Sequence, residues 1–96
     1  PAHMRDYYTG SADNWGVHIN SGIPNRAFYL AAGAVGGHAW DPIGRVWYDA
    51  LCNRLRPRSD FKAAARATID AAGQLCGLES REQQAVRTAW KEVGVL

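Results

Sequence analysis

His18 and Asp13 are the residues in this chain whose types and spacing suit catalysis. They lie in Asp13-Asn14-Trp15-Gly16-Val17-His18-Ile19-Asn20-Ser21-Gly22-Ile23-Pro24-Asn25, where a histidine, a carboxylate and two glycines stand just ahead of a predicted helix. Turn residues separate the two groups, so the Asp13 carboxylate can reach back to one imidazole nitrogen, fix its tautomer and favour the imidazolium. A cationic donor aimed at a reacting carbonyl stabilises an oxyanion, which is the electrostatic work that metal-assisted amide hydrolysis needs beside its metal. Without further context, a histidine between valine and isoleucine is more often structural. The centre of such a site is missing from the chain, which contains no His-Glu-x-x-His.

Other chemistry-bearing residues are less apt. His38, in Gly36-Gly37-His38-Ala39-Trp40, reads as a loop histidine, because two histidines without a third ligand in register make a poor zinc site. Cys52 and Cys76 each fall on the apolar side of a predicted helix, which suits two buried free thiols or one inter-helix bridge, the thiols being favoured. They have no Cys-x-x-Cys partner or adjacent histidine, so they do not form a zinc pair. Ser11 and Ser21 lie near His18, yet neither sits in a Gly-x-Ser-x-Gly elbow. Trp40, Trp47 and Trp90 suit core packing, since a nucleic-acid stacking platform would need them exposed together. Arg54, Arg56 and Arg58 form a solvated basic helix end.

Four helical patterns must position these residues. Residues 5 to 18 lack helical period and read as an irregular lead-in that lies against something. Asn20 or Ser21 caps the first helix, Pro24 falls in its opening turn, and Ile23, Ala27, Leu30, Ala31 and Ala34 share a face before Gly36-Gly37. The second opens at Asp41 with Pro42 in its first position and places Ile43, Val46, Trp47, Ala50, Leu51 and Leu55 inward until Arg56-Pro57. The third follows Ser59, with Phe61, Ala65, Thr68, Ile69, Ala72 and Leu75 inward and Gly77 at its end. The fourth starts at Ser80-Arg81-Glu82-Gln83, a capping-box spacing, and buries Val86, Ala89, Trp90 and Val93 before Gly94. With no alternating strand pattern, the expected fold is all-α, a small four-helix bundle-like domain preceded by an irregular N-terminal segment.

A chain of 96 residues holds one such domain. Hydrophobic residues make up 47% and charged residues 21%, ordinary for a globular chain, and no apolar run approaches the roughly 20 residues of a membrane span. A net charge of +2, with eleven basic residues interleaved among nine acidic ones, argues against a small DNA-binding bundle. Pro1-Ala2-His3-Met4 reads as an expression scar, since a common cloning site encodes His-Met, leaving 5–96 as the domain.

The segment Asp13-Asn14-Trp15-Gly16-Val17-His18-Ile19-Asn20-Ser21-Gly22, with Tyr8-Thr9-Gly10 before it and Asn25-Arg26-Ala27-Phe28-Tyr29-Leu30 after it, resembles the C-terminal helical domain of the thermolysin-like neutral zinc metallopeptidases. Ile23-Pro24-Asn25-Arg26-Ala27-Phe28-Tyr29-Leu30 and Trp47-Tyr48-Asp49-Ala50-Leu51 are similar to the protealysin-like branch, and Ala89-Trp90-Lys91-Glu92-Val93-Gly94-Val95 to the family's terminus. Trp15 stands where thermolysin has glycine, a departure from the family pattern, so the resemblance does not carry over the detailed shape of the cleft edge. The resemblance covers residues 5 to 96. It implies that His18 donates a hydrogen bond to the tetrahedral intermediate of peptide hydrolysis, that Asp13 orients it, and that Asn14 lies by the substrate cleft, where a turn-forming role is an equal alternative. It further implies zinc in the full enzyme, and allows calcium, with ligands outside this chain and none within it. The partners implied are an upstream zinc-binding catalytic domain and a peptide substrate, with no nucleic acid or membrane, and self-association through an exposed interdomain face. The parent would be bacterial, secreted or cytoplasmic, and the chain alone inactive. The alternative is an autonomous, non-catalytic helical protein-binding module that uses the 5 to 18 segment as its contact surface.

Overall fold

The last two helices begin on side chains that close their first turns. In the computed structural model, which describes residues 1–10, 20–36, 40–55 and 60–96, Asp60 Oδ1 accepts the Ala63 N–H at 2.8 Å and Ser80 Oγ accepts the Gln83 N–H at 3.2 Å. Each bond satisfies a donor that the first helical turn leaves open. The helices they start are α3, Phe61–Cys76, and α4, Arg81–Glu92. Upstream lie α1, Gly22–Val35, and α2, Trp40–Asp49, which runs on into a π-helical turn, Ala50–Arg54. A short 3₁₀ turn, Met4–Asp6, precedes them. The regular elements among the described residues are all helical, with no strand, as the periodicity predicts.

Helix α4 is the hub, packing most extensively on α1 and next on α3. Its inward face is the predicted one: Val86, Trp90 and Val93 are fully buried and Ala89 nearly so. Opposite them stand Ile23, Ala27, Ala31 and Ala32 of α1 and Ala65, Thr68, Ala71 and Ala72 of α3. The alanines let α3 approach α4 closely enough for Trp90 to donate its indole N–H to Thr68 Oγ1 at 2.8 Å. Burial of a side chain such as Val86 or Ile23 contributes about 1.5–3 kcal/mol. Trp47 stacks on Trp90 with ring centroids 6.0 Å apart and planes 6° from parallel, and meets Phe28 edge-on at 5.3 Å. Trp90 therefore belongs to the core, as expected, and Trp47 is partly buried against it; the Trp40 side chain lies outside the described set.

Several positions differ from the periodic expectation. Leu51 is 64% exposed and Cys52 is exposed, although both fall on the apolar side of an ideal α-helix. The π turn inserts an extra residue into the helical register, so Ala50 is buried while the residues after it rotate outward. Leu75 is 53% exposed because the last turn of α3 faces the start of α2 across an open cleft lined by Asp41, Pro42 and Arg45. Ala34 is exposed, and Ala32 takes its place in the core. Helix α2 starts at Trp40, one residue before the expected Asp41. Ser21 holds the position before α1 but makes no side-chain capping bond.

The capping box at α4 is half formed. Gln83 turns its amide away from Ser80, accepting the Glu79 N–H at 2.6 Å and donating to Ile69 O at 3.0 Å, which ties the turn before α4 to α3. Gln83 is 4% exposed, so these bonds keep a buried amide satisfied. Gly77 ends α3 with a φ of 109°, a positive value that glycine tolerates, and the left-handed residue in the same turn is Glu79 at 59°.

Candidate functional site

The lead-in to the candidate site is anchored at both ends. Met4 donates its N–H to Val93 O at 2.8 Å, which binds the N-terminal turn to the end of α4. His3, assigned to an expression scar on sequence grounds, accepts the Arg5 N–H at 3.0 Å and lies against Gly94. Tyr7 then sets its ring edge-on to Phe61 at 5.9 Å, the first residue of α3.

Tyr8 and Asn20 form the junction. Tyr8 donates its N–H to Asn20 Oδ1 at 2.8 Å, and Asn20 Nδ2 donates back to Tyr8 O at 2.9 Å. A carboxamide carries the same donor and acceptor pair as a peptide group, so Asn20 serves Tyr8 as a strand partner would. Asn20 is 4% exposed, and its side chain satisfies both backbone groups of Tyr8 at once. The residue expected to cap α1 instead holds the chain twelve positions upstream.

Asp13, Asn14 and His18, the predicted catalytic and substrate-side residues, lie outside the described residues, as do Ser11, Trp15 and His38. The structure describes the frame on either side of them: Tyr8 to Gly10 before, and Asn20 with the head of α1 after. Asn20 itself is a functional candidate that the sequence reading missed. The only sequence signal for it was an asparagine beside a helix start, and that signal points to a cap.

Beside the head of α1 opens an apolar groove of about 550 Å³. Its lining includes Pro24 from α1, Trp47 and Leu51 from α2 and its π turn, Phe61 from α3 and Trp90 from α4. On the same turn, Arg54 pairs with Asp49 at 2.7 Å and also donates to Gln74. The Arg54 hydrogen bond, with a second from Asn53, holds the Asp49 carboxyl below its ordinary value. Arg54 is thus engaged within the fold; Arg56 and Arg58 lie outside the described residues. Cys76 is half-buried, and loss of water around it, aided by Glu82, pushes its thiol pKa up. Both cysteines are free. Among the described residues no three His, Cys, Asp or Glu side chains come together in a way that could hold a metal, and no helix is long and apolar enough to cross a membrane.

The family model described as thermolysin metallopeptidase, alpha-helical domain, matches residues 1–95, a span that includes Pro1 to Met4. An extracellular metalloprotease of Pectobacterium carotovorum subsp. carotovorum is 49% identical over 96 residues, covering 99% of this chain and 27% of that protein. A bacillolysin of Brevibacillus brevis is 46% identical over 102 residues, covering 99% of this chain and 19% of its own length. Among solved structures, the precursor of protealysin, a metalloproteinase from Serratia proteamaculans, superposes with a TM-score of 0.88 at 52% identity, covering 100% of this chain and 30% of that one. The chain therefore spans under a third of the relatives it matches.

Proposed function

Because this chain belongs to the thermolysin metallopeptidase alpha-helical domain family, we propose that it supplies one wall of a peptide-hydrolysing site whose metal-binding half lies elsewhere in the parent protein. The observation that carries this reading is the match over residues 1–95 together with the unbroken run Asp13-Asn14-Trp15-Gly16-Val17-His18 inside it. The thermolysin-like family implies zinc in the full enzyme, where a bound ion would supply Lewis-acid polarisation of the scissile carbonyl and activation of water. The described residues provide no ligand set for that ion.

The part left to this chain is electrostatic. His18 donates a hydrogen bond to the oxygen that gains negative charge as the scissile carbonyl becomes tetrahedral. A donor used this way accelerates the reaction because it binds the transition state better than the substrate. Asp13 accepts from the other imidazole nitrogen, which fixes the ring and favours its protonated form. Asn14 lines the cleft beside the peptide substrate.

The test is His18→Ala in the full-length parent enzyme, loaded with zinc and assayed on a peptide substrate. The proposal expects kcat to fall by about 10²–10³ with little change in KM, the signature of an interaction made in the transition state. Full kcat in a folded, zinc-loaded variant would make His18 a structural residue.

A further inference from the structure

We infer that Asn20 is a positioning residue for His18, fixing the base of the segment that carries it through the paired bonds to Tyr8. The inference rests on the catalytic reading of His18 and adds a residue that acts on it without touching substrate.

Three observations combine. The two bonds, 2.8 and 2.9 Å long, use both the donor and the acceptor of the side-chain amide, so they fix its orientation as well as its position. Asn20 is 4% exposed, so its amide is largely shielded from water and would be left unpaired without Tyr8, whose side of the pair is partly buried. Asn20 leads into α1, whose Ile23 and Ala27 are fully buried, and Tyr8 follows Tyr7, whose ring meets the partly buried Phe61 edge-on. Residues 8 and 20 are thereby held together, and His18 stands two residues from Asn20 in sequence. A donor in an oxyanion site must be placed to within a fraction of an ångström, and a misplacement of 1 Å can cost about 10²-fold in rate.

A merely stabilising role predicts something different. Losing the two bonds would then lower the melting temperature and leave the turnover of the folded enzyme unchanged. A positioning role couples Asn20 to His18, so the two substitutions do not multiply.

The experiment is a double-mutant cycle of Asn20→Ala and His18→Ala in the full-length, zinc-loaded parent, with kcat and KM measured well below each variant's melting temperature. Asn20→Ala is expected to lower kcat by about 10- to 10²-fold in the wild-type background, with KM little changed. In the His18→Ala background it should lower kcat by less than about 3-fold. If the two losses multiply, or if Asn20→Ala keeps full kcat, the positioning role is overturned while His18 keeps its own. If His18→Ala alone leaves kcat intact, the catalytic reading falls and this inference falls with it.

Asn20→Asp repeats the cycle in a variant of nearly the same shape, in case the alanine variant does not fold. Its carboxylate still accepts the Tyr8 N–H but cannot donate to Tyr8 O. Protonation restores a donor, so its kcat relative to wild type should rise as pH falls toward the carboxylate range. A flat ratio would count against the clamp.

Discussion

The Thr68 to Trp90 hydrogen bond permits a measurable prediction about the core that holds the site. Trp90 is fully buried and Thr68 is 2% exposed, so the indole N–H is left in a poorly hydrated place if its acceptor is lost. Thr68→Val keeps the branched shape and removes the hydroxyl. The bonds from Thr68 Oγ1 to Ala64 O and Ala65 O, at 2.9 and 3.0 Å, are lost as well, but those carbonyls lie in the helical ladder and lose little. The dominant cost is one buried, unsatisfied N–H, about 1–3 kcal/mol. In a domain of this size each kcal/mol shifts the melting temperature by about 4–8 °C, so a cost of about 2 kcal/mol lowers it by roughly 8–16 °C. Circular dichroism melts, with urea titrations for the free energy, provide the measurement. Trp90→Phe supplies the control, because phenylalanine has no N–H to strand. Thr68→Val should cost far less in that background than in the wild type. Equal cost in both backgrounds would refute the reasoning and assign the loss to packing.

Three further outcomes follow from particular residues. Cys52 should react with a thiol reagent at neutral pH well before Cys76, because it is exposed whereas Cys76 is half-buried with its thiol pKa raised; equal rates in the folded protein would contradict this. Asp49 has its pKa depressed by Arg54 and Asn53, so its contribution to stability is fully present above the ordinary carboxylate value near 3.8 and is lost as pH falls below it. Asp49→Asn should therefore flatten the acid side of the stability profile, and denaturant titrations from pH 6 to about 3 would show whether it does. If Asp13 partners His18 as proposed, Asp13→Asn in the full-length enzyme should move the high-pH limb of kcat/KM to lower pH, because a charge favouring imidazolium would be removed; an unmoved limb would separate Asp13 from His18.

The parts of the fold that local chemistry decides were legible in the sequence. Ser80 caps α4, and Val86, Ala89, Trp90 and Val93 bury as their spacing requires, because capping and helical period act within one or two turns. The end of α2 was not legible. A π turn at Ala50–Arg54 shifts the register by one residue and carries Leu51 and Cys52 outward, and no local signal announces it. Leu75 was misplaced because its period is helical, while its burial depends on whether a neighbouring helix extends far enough to cover it. Asn20 shows the same limit at the candidate site. Its place before a helix suggested a cap, but its partner is the backbone of Tyr8, twelve residues away, and only the tertiary structure brings the two together. The motif from Asp13 to His18 was legible as a family signature from its length, while the roles of His18 and Asp13 remain a proposal read from residue type.

The most direct measurement compares binding of a tetrahedral, transition-state-like phosphorus inhibitor with binding of a substrate-like peptide, in the full-length zinc-loaded enzyme with and without His18→Ala. If His18 serves the oxyanion, the inhibitor should weaken by the same factor as kcat/KM, about 10²–10³, while the peptide's affinity changes little. Equal weakening of both ligands, or of neither, would contradict the role assigned to this chain.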